Sequence, residues 1–297
     1  MSDNAFIKRL TFTERLNFLL TNRIPRRYAT LFIGWFSKLE NPLVRKISLV
    51  VWQWFAGKID LSEARKAEFN SLHDCFIRQL KPGSRTIAQN PETVISPCDG
   101  IIGASGQIDG TTLYQTKGFP YTLNDLLLDK ALVDRYQGGH YITLRLTSTM
   151  YHRFHAPYDC HVTDINYISG DTWNVNPIAL KLVEKLYCKN ERAVIDLNLG
   201  IQDYYLTLVP VAAILVAGIK LHCLPAVLDL RYRGPNRLSC DASLQKGDEM
   251  GYFQHGSTII VFANSNFDFA EGIYPGRLIK MGQPLLNFYN SPALSHK

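Results

Sequence analysis

No C-x-x-C pair occurs among the six cysteines, and their scatter from Cys75 to Cys240 argues against a zinc cluster and against a disulfide framework. Scattered single thiols fit a reducing compartment. Long hydrophobic runs are missing as well. The longest, Leu206 to Ile219, has fourteen residues and contains Pro210, whereas a membrane-spanning helix needs roughly twenty. It reads instead as buried strands. No secretory signal is expected, because Met1-Ser-Asp-Asn is followed by charges and by no clean apolar segment. Charge of one sign is also scarce. A net charge of +6, dispersed along the chain, is too mild to imply nucleic acid; it suits an anionic membrane surface and simple solubility equally well. There are no repeats and no low-complexity tracts, and 297 residues suffice for one large domain or two modest ones.

What is present divides into two textures. Residues 1–57 read as helices. Thr13 caps a first one carrying Leu16, Phe18, Leu19 and Leu20, and Pro25 stops it. The stretch from Arg26 to Leu39 is basic at its start and then aromatic, with Tyr28, Phe32, Trp35 and Phe36. Asn41-Pro42 is a start signal for a further helix and Gly57 a stop. Between them Leu43, Ile47, Val50, Val51, Trp54 and Phe55 form one stripe, with Arg45 and Lys46 off it. Such a helix can lie in a bilayer interface or pack on a protein core, and the pattern leaves both open. Another helix is expected over 71–80, with Ser71 and Asp74 in capping-box spacing. Lys81-Pro-Gly-Ser84 breaks it. Beyond Val94 short β segments follow one another, with one helical stretch from Ile178 to Tyr187. The expected fold is α+β: a helical N-terminal region over 1–80, and a β-rich catalytic domain over 81–297.

Gly256-Ser257, just before the apolar run Ile259 to Phe262, is the point where chemistry is conceivable. Glycine leaves its carbonyl open, and the serine hydroxyl stands one bond beyond it, the arrangement an N→O acyl shift requires. A plain turn before a strand reads the same way. His152 and His155 stand three apart, but Pro157 interrupts any helix there and no acidic or cysteine partner stands at a zinc spacing, so no metal is expected. Asp99 lies in a Pro-x-Asp-Gly turn, where aspartate is common for its own backbone bonding. Asp99, His155 and Ser257 are the residue types of an activated serine, namely orienter, base and nucleophile. Their positions in the sequence do not by themselves bring them together.

Six stretches, in order, resemble the phosphatidylserine decarboxylase family. They are Ser96-Pro-Cys-Asp-Gly100, Tyr151-His-Arg-Phe-His-Ala-Pro157, Gly170-Asp-Thr-Trp-Asn-Val-Asn176, Asn190-Glu-Arg192, Lys246-Gly-Asp-Glu-Met-Gly251 with Gly256-Ser-Thr258, and Met281-Gly-Gln-Pro284. The resemblance implies a proenzyme that cuts itself between Gly256 and Ser257, through Asp99, His155 and Ser257, and converts Ser257 into a covalent pyruvoyl group. That cofactor would form a Schiff base with phosphatidylserine, and phosphatidylethanolamine and CO2 would result. His155 is the first candidate for the proton donor and His152 the second, with positioning of the leaving carboxylate as another role for His152. The resemblance further implies that chains 1–256 and 257–297 stay together and form a homodimer. It places the protein peripherally on the membrane surface, at the cytoplasmic face, with residues 1–57 as the contact. One departure is visible. The family commonly has leucine where this chain has His255, a position expected to pack rather than to catalyse. Two other readings compete: an uncleaved, inactive relative that only binds lipid, and a serine hydrolase, although Gln254-His-Gly-Ser-Thr-Ile259 is no G-x-S-x-G elbow.

Overall fold

The computed structural model describes residues 24–113, 119–214, 218–254 and 257–289, together with Leu19. Its centre is an eight-stranded antiparallel sheet. In order across it run Arg237–Leu244, Cys160–Ile168, Arg192–Asn198, Tyr205–Ala212, Ser257–Ala263, His140–Leu146, Gly100–Gln107 and Leu278–Ile279. The strand Ser257–Ala263 lies in the middle and every one of its residues is buried. Side chains alternate across a strand, so Ile259, Val261 and Ala263 enter one apolar core with Phe154, Ile219 and Phe253. Ile260 and Phe262 enter a second core with Tyr121, Leu126 and Val209. A strand buried on both faces reads as an unbroken apolar run, which is how 259–262 looks in the sequence. Each such side chain contributes ~1.5–3 kcal/mol on burial.

A four-stranded sheet, Val227–Leu228, Ile219–Leu221, Glu249–Phe253 and Arg153–His155, covers the first core. The two sheets are joined directly, because Glu249–Phe253 leads within four residues into Ser257–Ala263. The β-rich core and helical N-terminal region expected from the sequence are both present.

Helix α1, Arg26–Phe36, is fastened to the core at one end. Its Arg26 pairs with Asp171 and lies 3.6 Å over the Trp173 ring, and Thr30 meets Thr172 at 3.3 Å between hydroxyls. Helix α2, Pro42–Ala56, begins as expected: the Asn41 side chain accepts from the amides of Leu43 and Val44, Pro42 follows, and Gly57 ends it at φ +88. Leu49 and Trp52 pack inward on Ala64, Phe69 and Cys75. The stripe Leu43, Ile47, Val50, Val51, Trp54 and Phe55 stays exposed, with Trp54 at 81%. Among the described residues no helix is long and apolar enough to cross a membrane. The first predicted helix, around Thr13, Leu16, Phe18 and Leu20, lies outside the described residues apart from Leu19.

Two helices are shorter than the sequence suggests. The one expected to reach Leu80 spans only Leu72–Phe76 (α3), capped by Ser71 accepting from the Asp74 amide. Its next carbonyls, those of Ile77 and Arg78, are taken by Arg153, and Leu80 bridges to Ala64. The stretch expected from Ile178 to Tyr187 is two pieces, Pro177–Leu182 and Leu186–Lys189, separated by Lys185 in the left-handed region at φ 51.

Candidate active site

Four of the six motif stretches meet around the strand Arg153–His155. The His155 amide donates to Pro97 O at 2.8 Å, which fixes it against the turn that holds Asp99. The Ala156 amide donates to Asp248 O at 2.8 Å, and the Gly247 amide returns a bond to Ala156 O. Gly247 sits at φ +96, a conformation glycine adopts without penalty, and this aims its carbonyl at the histidine. His155 Nδ1 lies 2.8 Å from Gly247 O. A carbonyl can only accept, so Nδ1 carries the proton and Nε2 is the lone pair. That lone pair accepts from the Tyr151 hydroxyl at 3.0 Å. Burial pulls the His155 pKa below its usual value, partly offset by the Gly247 carbonyl, and keeps the ring neutral at neutral pH.

Asp99 is not hydrogen-bonded to His155. Its carboxylate takes a two-point bond from Arg85, Nε at 2.9 Å and Nη2 at 2.5 Å, and a third from the Met281 amide at 2.9 Å. Burial alone would lower the Arg85 pKa, but hydrogen bonds and charge from Asp99 and Glu63 hold it above the usual value. The Arg85 guanidinium lies 5.9 Å from the Tyr151 ring centre, so Asp99, Arg85, Tyr151 and His155 form one cluster. Asp99 contributes to the field at His155 through space, where the sequence suggested a direct bond. Arg85 and Tyr151 were not singled out as site residues by sequence: Arg85 lies outside the motif stretches, fourteen residues from Asp99, and Tyr151, although four residues from His155 in one stretch, meets the ring only through the local bend of the chain.

Ser257 is 0% exposed, and its hydroxyl has no hydrogen-bond partner among the described residues. By parity it faces the same core as Ile259 and Val261, the one covered by the four-stranded sheet. No hydrogen bond links it to His152 or His155. Both sit in that covering layer, and the His152 carbonyl accepts from the Phe253 amide, four residues before Ser257. His152 is fully buried, stacked 3.9 Å from the Phe76 ring centre, with Nδ1 on Met150 O and Nε2 unpartnered. Burial, with Arg78 nearby, pushes its pKa down to about 3. Asp99 stands at the head of Gly100–Gln107, two strands from Ser257–Ala263 and at the same end of the sheet, which at ordinary spacing is about 10 Å. Gly256 and His255 lie outside the described residues. Among the described residues no cluster could hold a metal ion.

The other two motif stretches brace the serine from behind. Ser257 pairs with Ala212 across the sheet. The Ala212 amide donates to Glu191 O, and its carbonyl accepts from Asn190 Nδ2 at 2.9 Å. Asn190 also bonds Trp173 at both amide and carbonyl. A Cβ on Gly170 would fall 2.5 Å from Lys189 O, so only glycine lets the two stretches close on each other.

Glu191 is fully buried. Tyr167 OH donates to its Oε2 at 3.0 Å while Oε1 has no partner, and burial, with Asp229 nearby, raises its pKa to about 8. A carboxyl whose folded pKa lies above its unfolded value of 4.5 gives stability that is fully present below pH 4.5 and lost as pH rises through about 8. Glu191→Gln, which stays neutral, is therefore expected to gain on the parent by up to about 1.4 kcal/mol per pH unit inside that window. Urea unfolding at pH 5 and pH 8 measures it; a parent–variant gap that does not widen between the two would show that Glu191 is ionised in the fold.

The phosphatidylserine decarboxylase family profile matches residues 72–287, which takes in Asp99, His152, His155 and Ser257. The chain is 34% identical over 288 residues to the phosphatidylserine decarboxylase proenzyme of Haemophilus influenzae (strain 86-028NP), covering 93% of this chain and 97% of the relative. It is 32% identical to the protein of the same name from Shewanella frigidimarina, covering 91% and 97%. For that from Brevibacillus brevis the identity is 33%, covering 77% and 83%. With a match that spans nearly the whole length of such relatives, and motif stretches that converge on one buried serine, this chain belongs to the phosphatidylserine decarboxylase family.

Proposed function

We propose that this chain is a proenzyme that cuts itself between Gly256 and Ser257 and then decarboxylates phosphatidylserine at a membrane surface. The observation that carries the reading is Ser257: a hydroxyl buried at the first position of the innermost strand and without a partner among the described residues. Burying a hydroxyl unpaired costs ~1–3 kcal/mol. Such a cost fits a group kept for reaction, and the residues around it fit a pyruvoyl group made in place.

In maturation Ser257 Oγ attacks the Gly256 carbonyl carbon and gives its proton to His155 Nε2. The Gly247 carbonyl, by holding the proton on Nδ1, leaves Nε2 as the base. The bond from Tyr151 has to release Nε2 for this step. The peptide C–N bond breaks, its nitrogen takes a proton, and an ester joins Gly256 to the serine oxygen. Loss of the Ser257 α-proton then expels the Gly256 carboxylate, and hydrolysis of the residue left behind releases ammonia. A pyruvoyl group supplies the electron sink that no ordinary side chain offers for breaking a bond to carboxylate. His155, which takes the proton from Ser257, is assigned to return a proton to the substrate, and His152, with Nδ1 held on Met150 O, is assigned to orient it. Purified protein given phosphatidylserine vesicles should release CO2, and its mass should resolve into fragments of about 29 and 4.6 kDa, scaled from 33.7 kDa over 297 residues. One uncleaved species without CO2 release would leave the lipid-binding relative as the better reading.

Membrane attachment is assigned to α2 and the exposed aromatics of α1. The apolar stripe of α2 is solvent-exposed, and Arg27 and Lys46 are exposed nearby. Val50→Asp with Trp54→Asp is expected to weaken vesicle binding by tenfold or more, since each apolar side chain contributes ~1.5–3 kcal/mol when buried. Thermal unfolding should not change, both side chains being exposed. Co-sedimentation with anionic vesicles measures the effect, and undiminished binding would rule α2 out as the anchor.

A further inference from the structure

A cleft of about 170 Å³ opens between α1 and the turn Asp229-Leu230-Arg231. Thr30, Trp35 and Lys38 line its α1 side, Asp229 and Arg231 face them, and Gln254 is also part of its wall. Gln254 stands three residues before Ser257. Three peptide units span no more than about 11 Å between Cα atoms, whatever their conformation. The Gln254 wall of the cleft is therefore close to the candidate reaction centre. Gly218 borders the Gln254 and Asp229 side chains, since a Cβ there would be in ordinary contact with Gln254 Cγ at 3.4 Å and Asp229 Cβ at 3.5 Å. The Gln254 carboxamide makes no hydrogen bond among the described residues.

The charge at this cleft is unbalanced toward positive. The Lys38 ammonium is exposed and forms no ion pair or hydrogen bond among the described residues. Arg231 is 71% exposed at its side chain; its amide donates to Asp229 Oδ1 at 2.8 Å and its guanidinium gives Asp229 one bond, Nη2 to Oδ2 at 3.0 Å, which among the described residues leaves other guanidinium donors open. Apolar surface continues outward from the cations: Trp35 is 60% exposed, Phe32 58% and Tyr28 74%. A ligand that fits carries a single anion between an apolar part and a polar head, with the head directed toward Gln254.

We infer that this cleft binds the phosphodiester of a glycerophospholipid between Lys38 and Arg231, holding its headgroup toward Ser257 and its acyl chains along α1. The inference deepens the reading above, on which the substrate is phosphatidylserine. The cations supply charge-assisted bonds to phosphate oxygens, the Gln254 amide a neutral contact to the polar head, and α1 the apolar contact. The same helix that offers aromatics to the bilayer would thus form one wall of the path out of it.

The test uses the full chain and dihexanoyl phosphatidylethanolamine, which keeps the phosphodiester but has no carboxylate to lose, below its micelle concentration, so that membrane adhesion does not enter. Titration calorimetry is expected to show Lys38→Gln/Arg231→Gln binding at least about tenfold more weakly, a loss of 1.4 kcal/mol. Dihexanoylglycerol, which has no phosphate, should bind both proteins equally, and Lys38→Arg should retain most of the affinity. Thermal unfolding checks the fold. Equal affinity of parent and double variant for the phospholipid would overturn the inference, and so would inorganic phosphate that binds as tightly as the lipid. Binding is read without turnover. A chain that binds as described but releases no CO2 would therefore contradict the decarboxylase reading and leave this site standing.

Discussion

Ser257→Ala is expected to remain a single chain of 33.7 kDa and to release no CO2 from phosphatidylserine. The substitution removes the nucleophile and, with it, the atoms from which the pyruvoyl group would be made, so both losses should be complete rather than partial. A failure to fold is the usual rival explanation for such a result, and here the structure predicts the opposite. The hydroxyl is buried at the first position of an apolar strand, without a partner among the described residues. Deleting it relieves a desolvation penalty, and the variant should unfold at an equal or higher urea concentration, by up to about 1 kcal/mol. An uncleaved Ser257→Ala protein that still produced phosphatidylethanolamine would sink the pyruvoyl reading at once.

The second large effect is expected at Arg85. Its side chain and that of Asp99 are 7% and 11% exposed, and Glu63 completes the set. Arg85→Met leaves the Asp99 carboxylate buried with only the Met281 amide against it. Breaking one partner of a buried pair costs about 3–5 kcal/mol, much of it from the stranded charge. Arg85→Met should therefore unfold at a clearly lower denaturant concentration, and Arg85→Met/Asp99→Asn should recover most of the loss by removing that charge. Maturation separates the two roles of Asp99. If its carboxylate helps His155 hold the proton from Ser257, the double variant is stable yet cleaves slowly. A double variant that cleaves at the parent rate would reduce Asp99 to a structural member of the turn.

The motif residues were legible in the sequence, but their bonds were not. Asp99, His155 and Ser257 stand out by type and by stretch, yet the partner of His155 Nδ1 is a backbone carbonyl at Gly247, 92 positions away. Nothing about the residue type marks a backbone carbonyl acceptor in advance. Arg85 escaped notice for a similar reason: it lies in an unremarkable loop, fourteen residues from Asp99, and gains its importance only when both are buried together. Asn190-Glu-Arg192 was visible as a pattern, whereas its purpose, to grip the strand residue paired with Ser257, depends on the pairing of two strands distant in sequence.

Local physics was sufficient where one element's own atoms settle the outcome. Asn41-Pro42 and Gly57 bound α2 because a cap, a ring-fixed φ and a left-handed glycine act within a turn of the residues they control. The run 259–262 announced a strand buried on both faces by its composition alone. The tertiary structure decided everything in which distant groups compete. It ended the helix at Phe76, because the chain beyond it pairs with 63–65: Gln79 O accepts from the Arg65 amide and the Lys81 amide donates to Glu63 O. It left the α2 stripe in solvent, although the same periodicity would serve a buried helix, because the inner face needed only Leu49 and Trp52. And it enclosed Ser257 without a partner among the described residues. A sequence lists the groups that can bond, and only the fold determines which of them are brought within reach and which are shut away from water.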